Sequence, residues 1–280
     1  MRHAGKFGAM GRPAITEMSA DDAQWAAALM EKRRRAYARY SPVFWRPAEG
    51  AVGPHAEYLA RLIAAESTVA LRTEHAFITC ARRRSAGQTE GLVDDYAVDP
   101  PGTWDADGAA LLLAAWERLA GVVTDGVVAV RVVTAHADRP KAGMLASLSL
   151  TLAEQWWVRE LQPTGPPMSS GRISGPGYRG TLGPAPAVYD PGGPVFQNDR
   201  ADEDTDADAI ARGAAAHGAV LAVLPAAADA AQSEQWRRQG WHVASDWYTG
   251  IPRSAQPAST SSASGPLPPL NPSNWPGKPG

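Results

Sequence analysis

The sequence predicts a mixed α/β (α+β) protein, a mixed sheet flanked by helices and arranged as two related lobes. Three observations carry this expectation. Residues 90–120 run from an apolar strand (Leu92, Val93, Tyr96, Ala97, Val98), through a stop at Pro100-Pro101-Gly102, into an Ala- and Leu-rich helix over Ala109–Ala120. Val127–Val133 is β-branched nearly throughout and reads as a buried parallel strand after a helical crossover. Finally, Val128 and Val220 each begin a strand, a helix follows, and Trp156 and Trp247 lie on the next strand, 28 and 27 residues on. That echo predicts a duplication with a shorter, more degenerate second copy.

Taken in order, residues 1–13 are Gly-rich and expected to be loose. Residues 14–18 form a short first strand. Ser19 is an N-cap candidate for a helix to about Arg39, with Asp21 and Asp22 in its first turn. Its basic run, Lys32–Arg35, reads as a solvated helix end. The aromatic loop Tyr40–Pro47 is expected to pack Phe44 and Trp45 onto the core or against a pocket. A helix near His55–Ala65 and strands over Thr68–Arg72 and Ala76–Arg82 follow, with a turn at Arg82–Gln88. Beyond the central strand and helix come Val127–Val133, a helix over Arg139–Leu150 behind Asp138, and a strand over Glu154–Leu161.

Residues 162–194 then change character: 16 of the 33 are Gly or Pro, so 162–186 is expected to be a linker between a first lobe, 14–161, and a second, 187–250. The second lobe has a strand near Val195, an acid-capped helix start after Asp199–Asp208, a helix to His217, a strand over Ala219–Leu224, a helix over Asp229–Gln239 and a strand over Trp241–Tyr248. Residues 251–280 hold 17 Pro, Gly or Ser and are expected to be a disordered tail.

Composition narrows the function classes. A formal net charge of -2 argues against a nucleic-acid binder. No run approaches the roughly 18 apolar residues of a membrane span, and no apolar signal core opens the chain, so a cytoplasmic monomer or dimer is expected. One cysteine, Cys80, excludes an internal disulfide and reads as a buried small hydrophobe. The six histidines lack zinc-ligand spacing, so no metal is expected.

Chemistry concentrates on the central strand. Asp94 and Asp95 read as mid-strand and, by alternation, on opposite faces. Burial would raise a carboxylate toward a useful base, so one should face a cleft and the other pair with an arginine; structural hydrogen bonding for both is the competing reading. Glu74, on the preceding strand turn, is a further candidate base.

By its element order the chain resembles the GCN5-related N-acetyltransferases. Val98-Asp99-Pro100 matches the family's Val-x-Pro strand end. Gly108 and Ala110 match its Gly-x-Gly/Ala loop, with Leu111–Leu113 after it. Asp105 stands where Gln or Arg is expected, and the loop is about two residues longer. The letters Arg172-x-x-Gly175-x-Gly177 also match, but without the strand and helix that give such a loop its mechanism, and read as linker. The resemblance implies acetyl-coenzyme A as acyl donor, held by Tyr96, Ala97, Val98, Trp104, Asp105, Gly108, Ala109 and Ala110. It implies direct attack by a primary amine of a small molecule or peptide. Asp94, Asp95 or Glu74 would take the proton, and a tyrosine, for which Tyr248 is the candidate, would serve the leaving thiolate. The other reading is a catalytically silent scaffold that binds a small molecule or protein.

Overall fold

A computed structural model describes residues 13–85, 88–122, 127–168, 170–199, 201 and 205–253. The expected loose terminus, most of the tail, and part of the Asp199–Asp208 segment lie outside them.

The first half contains β1 (Thr16–Glu17), α1 (Ala23–Tyr37), α2 (Val52–Ile63), β2 (Thr68–Arg72), β3 (Ala76–Ser85), β4 (Gln88–Val93) and β5 (Tyr96–Val98). It continues with α3 (Ala109–Val122), β6 (Val127–Ala135), α4 (Arg139–Ser147) and β7 (Thr151–Glu160). The second contains β8 (Gly171–Gly175), β9 (Tyr178–Gly183), β10 (Val195–Asn198), α5 (Ala207–Ala216), β11 (Leu221–Ala227), α6 (Ser233–Arg238) and β12 (His242–Gly250).

All twelve strands join one sheet, ordered β1-β2-β3-β4-β6-β12-β7-β11-β10-β9-β8, with β5 paired to β3. Each half of the sheet contains one parallel pair. β4 pairs parallel with β6, and β10 parallel with β11. Between these pairs, β12 lies antiparallel to both β6 and β7, and β7 antiparallel to β11. The last described strand thus stands in the middle of the sheet.

Alternating side chains divide the core between the two faces. Tyr96 and Val132 point to a cluster with Leu111 and Leu112 of α3 and Met144 and Leu145 of α4. Phe77 and Ala97 point the other way, to Ala26, Met30 and Leu59 of α1 and α2. In the second half Trp157, Phe196 and Leu224 pack on Ile210 of α5 and Trp236 of α6. Opposite them Val133, Trp156, Leu221 and Trp247 form a further cluster, and Phe44 packs on it.

Two expectations are corrected. Residues 171–183, read as linker, form the hairpin β8–β9, so the Arg172–Gly177 motif is two strands and a turn. Its glycines answer to the fold: Gly177 sits at φ +75° in the turn, and a Cβ on Gly180 would lie 2.1 Å from Gln197 O on neighbouring β10. Only half of the basic run on α1 is solvated: Lys32 and Arg35 are exposed, but the other two are not. Arg33 and Arg34 are 5% and 3% exposed. They share the inward face with Met30 and Tyr37 at helical spacing, which no reading of charge alone reveals.

Candidate active site

The predicted central strand is broken. β4 keeps its parallel pairing with β6 to Val93↔Val132, and β5 then pairs only with β3. Asp94 and Asp95 occupy the break rather than mid-strand, so strict alternation does not govern them. Both line one cavity of about 220 Å3. The segment of residues 44–45 and Tyr58 of α2 contribute to its wall, as do Trp156, Trp247 and the segment 185–191. Phe44 and Trp45 turn inward, and Trp45 Nε1 donates to Ala244 O at 3.0 Å. Phe44 meets both Trp45 and Trp156 edge to face.

Asp95 is fully paired. His55 Nε2 lies 2.9 Å from Asp95 Oδ1, and Arg34 Nη2 lies 3.8 Å from the same oxygen. Arg34 Nη1 is 3.2 Å from His55 Nδ1, so a tautomer with the proton on Nε2 serves both neighbours. Burial alone would raise the Asp95 pKa, but His55 and Arg34 outweigh it and hold the carboxyl below its ordinary value. The Arg34 guanidinium also stacks over the Tyr189 ring at 5.3 Å.

Asp94 is different. Among the described residues its side chain has no hydrogen bond or ion pair. Burial and the adjacent Asp95 charge push its carboxyl up to about 7. Both aspartates line the cavity; Asp95 is held by His55 and Arg34, whereas Asp94 has no such partner.

The break leaves an opening between β5 and β6, and a side chain fills it. Lys141, from the first turn of α4, sends its ammonium between the strands. Its Nζ donates to Val133 O at 2.9 Å and to Tyr96 O at 3.4 Å. Tyr96 and Trp104 flank it, with ring centroids 4.8 and 5.1 Å away. Burial lowers the Lys141 pKa to about 8, against the opposing pull of Asp138. Asp138 caps α4 through Lys141 N and is itself gripped by Arg33 and Tyr37 Oη. The sequence signal for Lys141 was its position: a lysine in a helix's first turn opposes the dipole.

The loop after β5 is not an open phosphate cradle. Trp104–Gly108 forms a tight π-helical turn that runs directly into α3. Trp104, 1% exposed, packs inward across Gly108, and Tyr96 Oη donates to Gly108 O. A Cβ on Gly108 would lie 2.7 Å from Trp104 Cε3, so the glycine is required by a side chain of its own chain. Asp105 is exposed and Ala109 and Ala110 are half-buried beside it. Ala97 directs its backbone toward β3, because Asp95 O and Asp99 N bond that neighbour and alternation places Ala97 with them. Tyr96 and Val98 face the opening, where Lys141 already engages Tyr96 O.

The remaining candidates are dispersed. Glu74 is exposed and 3.8 Å from His75 Nε2. Tyr248 packs half-buried against the α3–α4 core and is not on the cavity wall. Among the described residues no His, Cys, Asp and Glu side chains group as metal ligands, and no helix is long and apolar enough to cross a membrane.

Comparison with solved structures identifies the architecture. A GCN5-related N-acetyltransferase from Sphaerobacter thermophilus superposes with a TM-score of 0.51 at 13% identity, covering 89% of this chain and 99% of that one. A GCN5-related N-acetyltransferase from Kribbella flavida gives 0.45 at 11% identity, over 84% of this chain and 70% of that one. A tandem protein of the same fold from the clavulanic acid biosynthesis pathway gives 0.42 at 12%, over 85% and 98%. No family model and no curated protein matches the chain. The protein has the GCN5-related N-acetyltransferase fold.

That fold implies acetyl-coenzyme A, and the residues present do not fit it. Lys141 holds the gap between the parted strands, Trp104 fills the space over Gly108, and Asp105 and Asp107 place negative charge in the turn where a pyrophosphate would lie. Two like charges about 4 Å apart repel by about 4 kcal/mol at an effective dielectric near 20.

Proposed function

We propose that the chain is a binding module on an acetyltransferase scaffold, and that its cavity takes a small molecule with an apolar body and a protonated amine. The single observation carrying this reading is the Asp94 carboxylate, without a hydrogen bond or ion pair among the described residues, on a wall that also carries the rings of Phe44, Trp45, Trp156 and Trp247. Arg34, Lys141 and Arg83 lower its pKa but burial and Asp95 outweigh them, and an ammonium group in hydrogen-bond contact is the natural complement of such a carboxylate. Two cations of the wall are already engaged: Arg34 with Asp95 and His55, and Lys141 with two main-chain carbonyls. The aromatic rings suit the apolar body and the cation alike. The single parallel pair in each half of the sheet supports a duplicated origin, the second copy taking in the β8–β9 hairpin that the sequence placed in a linker.

The test is a melting-temperature screen of primary amines against alcohols of matched shape. Amines should raise the midpoint and the alcohols should not, and Asp94→Asn should abolish the difference. Alcohols that stabilise as well as amines would remove the carboxylate from recognition.

A second reading, acetyl transfer to that same amine, is favoured by the parting of β5 from β6 and by an Asp94 pKa near 7, suited to proton abstraction. Mass spectrometry for N-acetylated amine after incubation with acetyl-coenzyme A tests it directly.

A further inference from the structure

We infer that the Lys141 side chain is a built-in filler of the interstrand opening, and that shortening this one residue uncovers a site for the amide-bearing arm of a pantetheine or acyl-coenzyme A. The inference rests on the opening itself and not on what the neighbouring cavity binds.

Beyond Val93 and Val132 the two strands no longer pair, so Tyr96 and Val98 on one side and Val133 on the other turn main-chain groups toward a gap. Unpaired edges of this kind bind an extended amide chain as an added strand. Here Lys141 supplies the donor. Its ammonium meets Val133 O and Tyr96 O and lies 4.8 and 5.1 Å from the Tyr96 and Trp104 ring centroids. The residue is 3% exposed. Nor can the helix carrying it easily withdraw. Asp138, one turn earlier, is anchored by Arg33 and Tyr37 from α1, both buried. Any amide chain entering the gap must therefore displace a charge-assisted contact that is already made. With the ammonium removed, its contacts to the two carbonyls are lost, and with the stem removed as well a ligand able to donate to them has room to enter.

The experiment is isothermal calorimetry of pantetheine and of acetyl-coenzyme A against the wild type, Lys141→Ala and Lys141→Met, with circular dichroism to confirm folding. The wild type should show no binding at millimolar ligand. Lys141→Ala should bind at least tenfold more tightly than the wild type, and Lys141→Met, whose stem still fills the gap, should behave as the wild type does. Wild-type binding that Lys141→Ala fails to strengthen overturns the proposal, as does an equal gain in Lys141→Met or no binding by a folded Lys141→Ala. If Lys141→Ala does not fold, amide resonances of the wild type decide. Shifts at Tyr96 and Val98 on adding acetyl-coenzyme A refute a filled opening, and unchanged resonances support it.

Discussion

The Trp104 ring lies so close over Gly108 that a methyl group on the glycine would sit 2.7 Å from Trp104 Cε3 and 3.2 Å from Tyr96 Oη. Neither neighbour is a flexible chain end, since both rings are fully buried. Gly108→Ala should therefore destabilise the fold by about 1–3 kcal/mol through overpacking. Urea unfolding measures this, and Trp104→Leu in the same chain should recover part of the loss. Full stability in Gly108→Ala would show that the turn yields easily.

Arg34 and Asp95 form a buried charge pair with His55 between them. Removing the guanidinium in Arg34→Met leaves the carboxylate with one partner and should cost about 3–5 kcal/mol. Arg34→Met combined with Asp95→Asn should lose less than Arg34→Met alone, because no uncompensated charge remains. The double-mutant cycle, read by chemical denaturation, tests the coupling.

Asp94 gives a pH signature of known sign. Its folded pKa, near 7, is above the ordinary 3.8, so between about pH 4 and 7 the native state holds a proton that the unfolded chain has released. Stability from this group is thus greatest at low pH and falls as pH rises through that window. Asp94→Asn should remove the slope and be the more stable form at pH 8, by on the order of 1–3 kcal/mol. Parallel stability profiles for the two proteins would place Asp94 in contact with bulk water.

Trp45 joins the aromatic loop to β12 through its bond to Ala244 O. Trp45→Ala should cost about 3–5 kcal/mol and weaken any ligand of the cavity. Trp45→Phe should restore most of the packing while losing the hydrogen bond. Equal melting temperatures for Trp45→Phe and Trp45→Ala would make that bond, and not the ring, the source of the effect.

Much of the element order was legible because it rests on local chemistry: the Asp138 cap and the β-branched run of β6. What escaped the sequence depends on distance across the fold. Lys141, in a helix turn unsuited to a cation, has its reason in two carbonyls from separate strands. Arg33 and Arg34 look like ordinary surface charges until Asp138 and Asp95 arrive from more than sixty positions away. The glycines of β8 and β9 resemble linker composition because the close approach of β9 to β10 demands the same residue as a flexible tether.

The position of β12 also shapes how the molecule can be made. Until residues 242–250 dock, β6 and β7 each present a bare hydrogen-bonding edge to solvent. A polypeptide of which only the first 160 residues have emerged therefore still holds these two sticky borders apart. Closure waits for the late arrival of a single ribbon, which makes the early half-product the stage most in need of a chaperone.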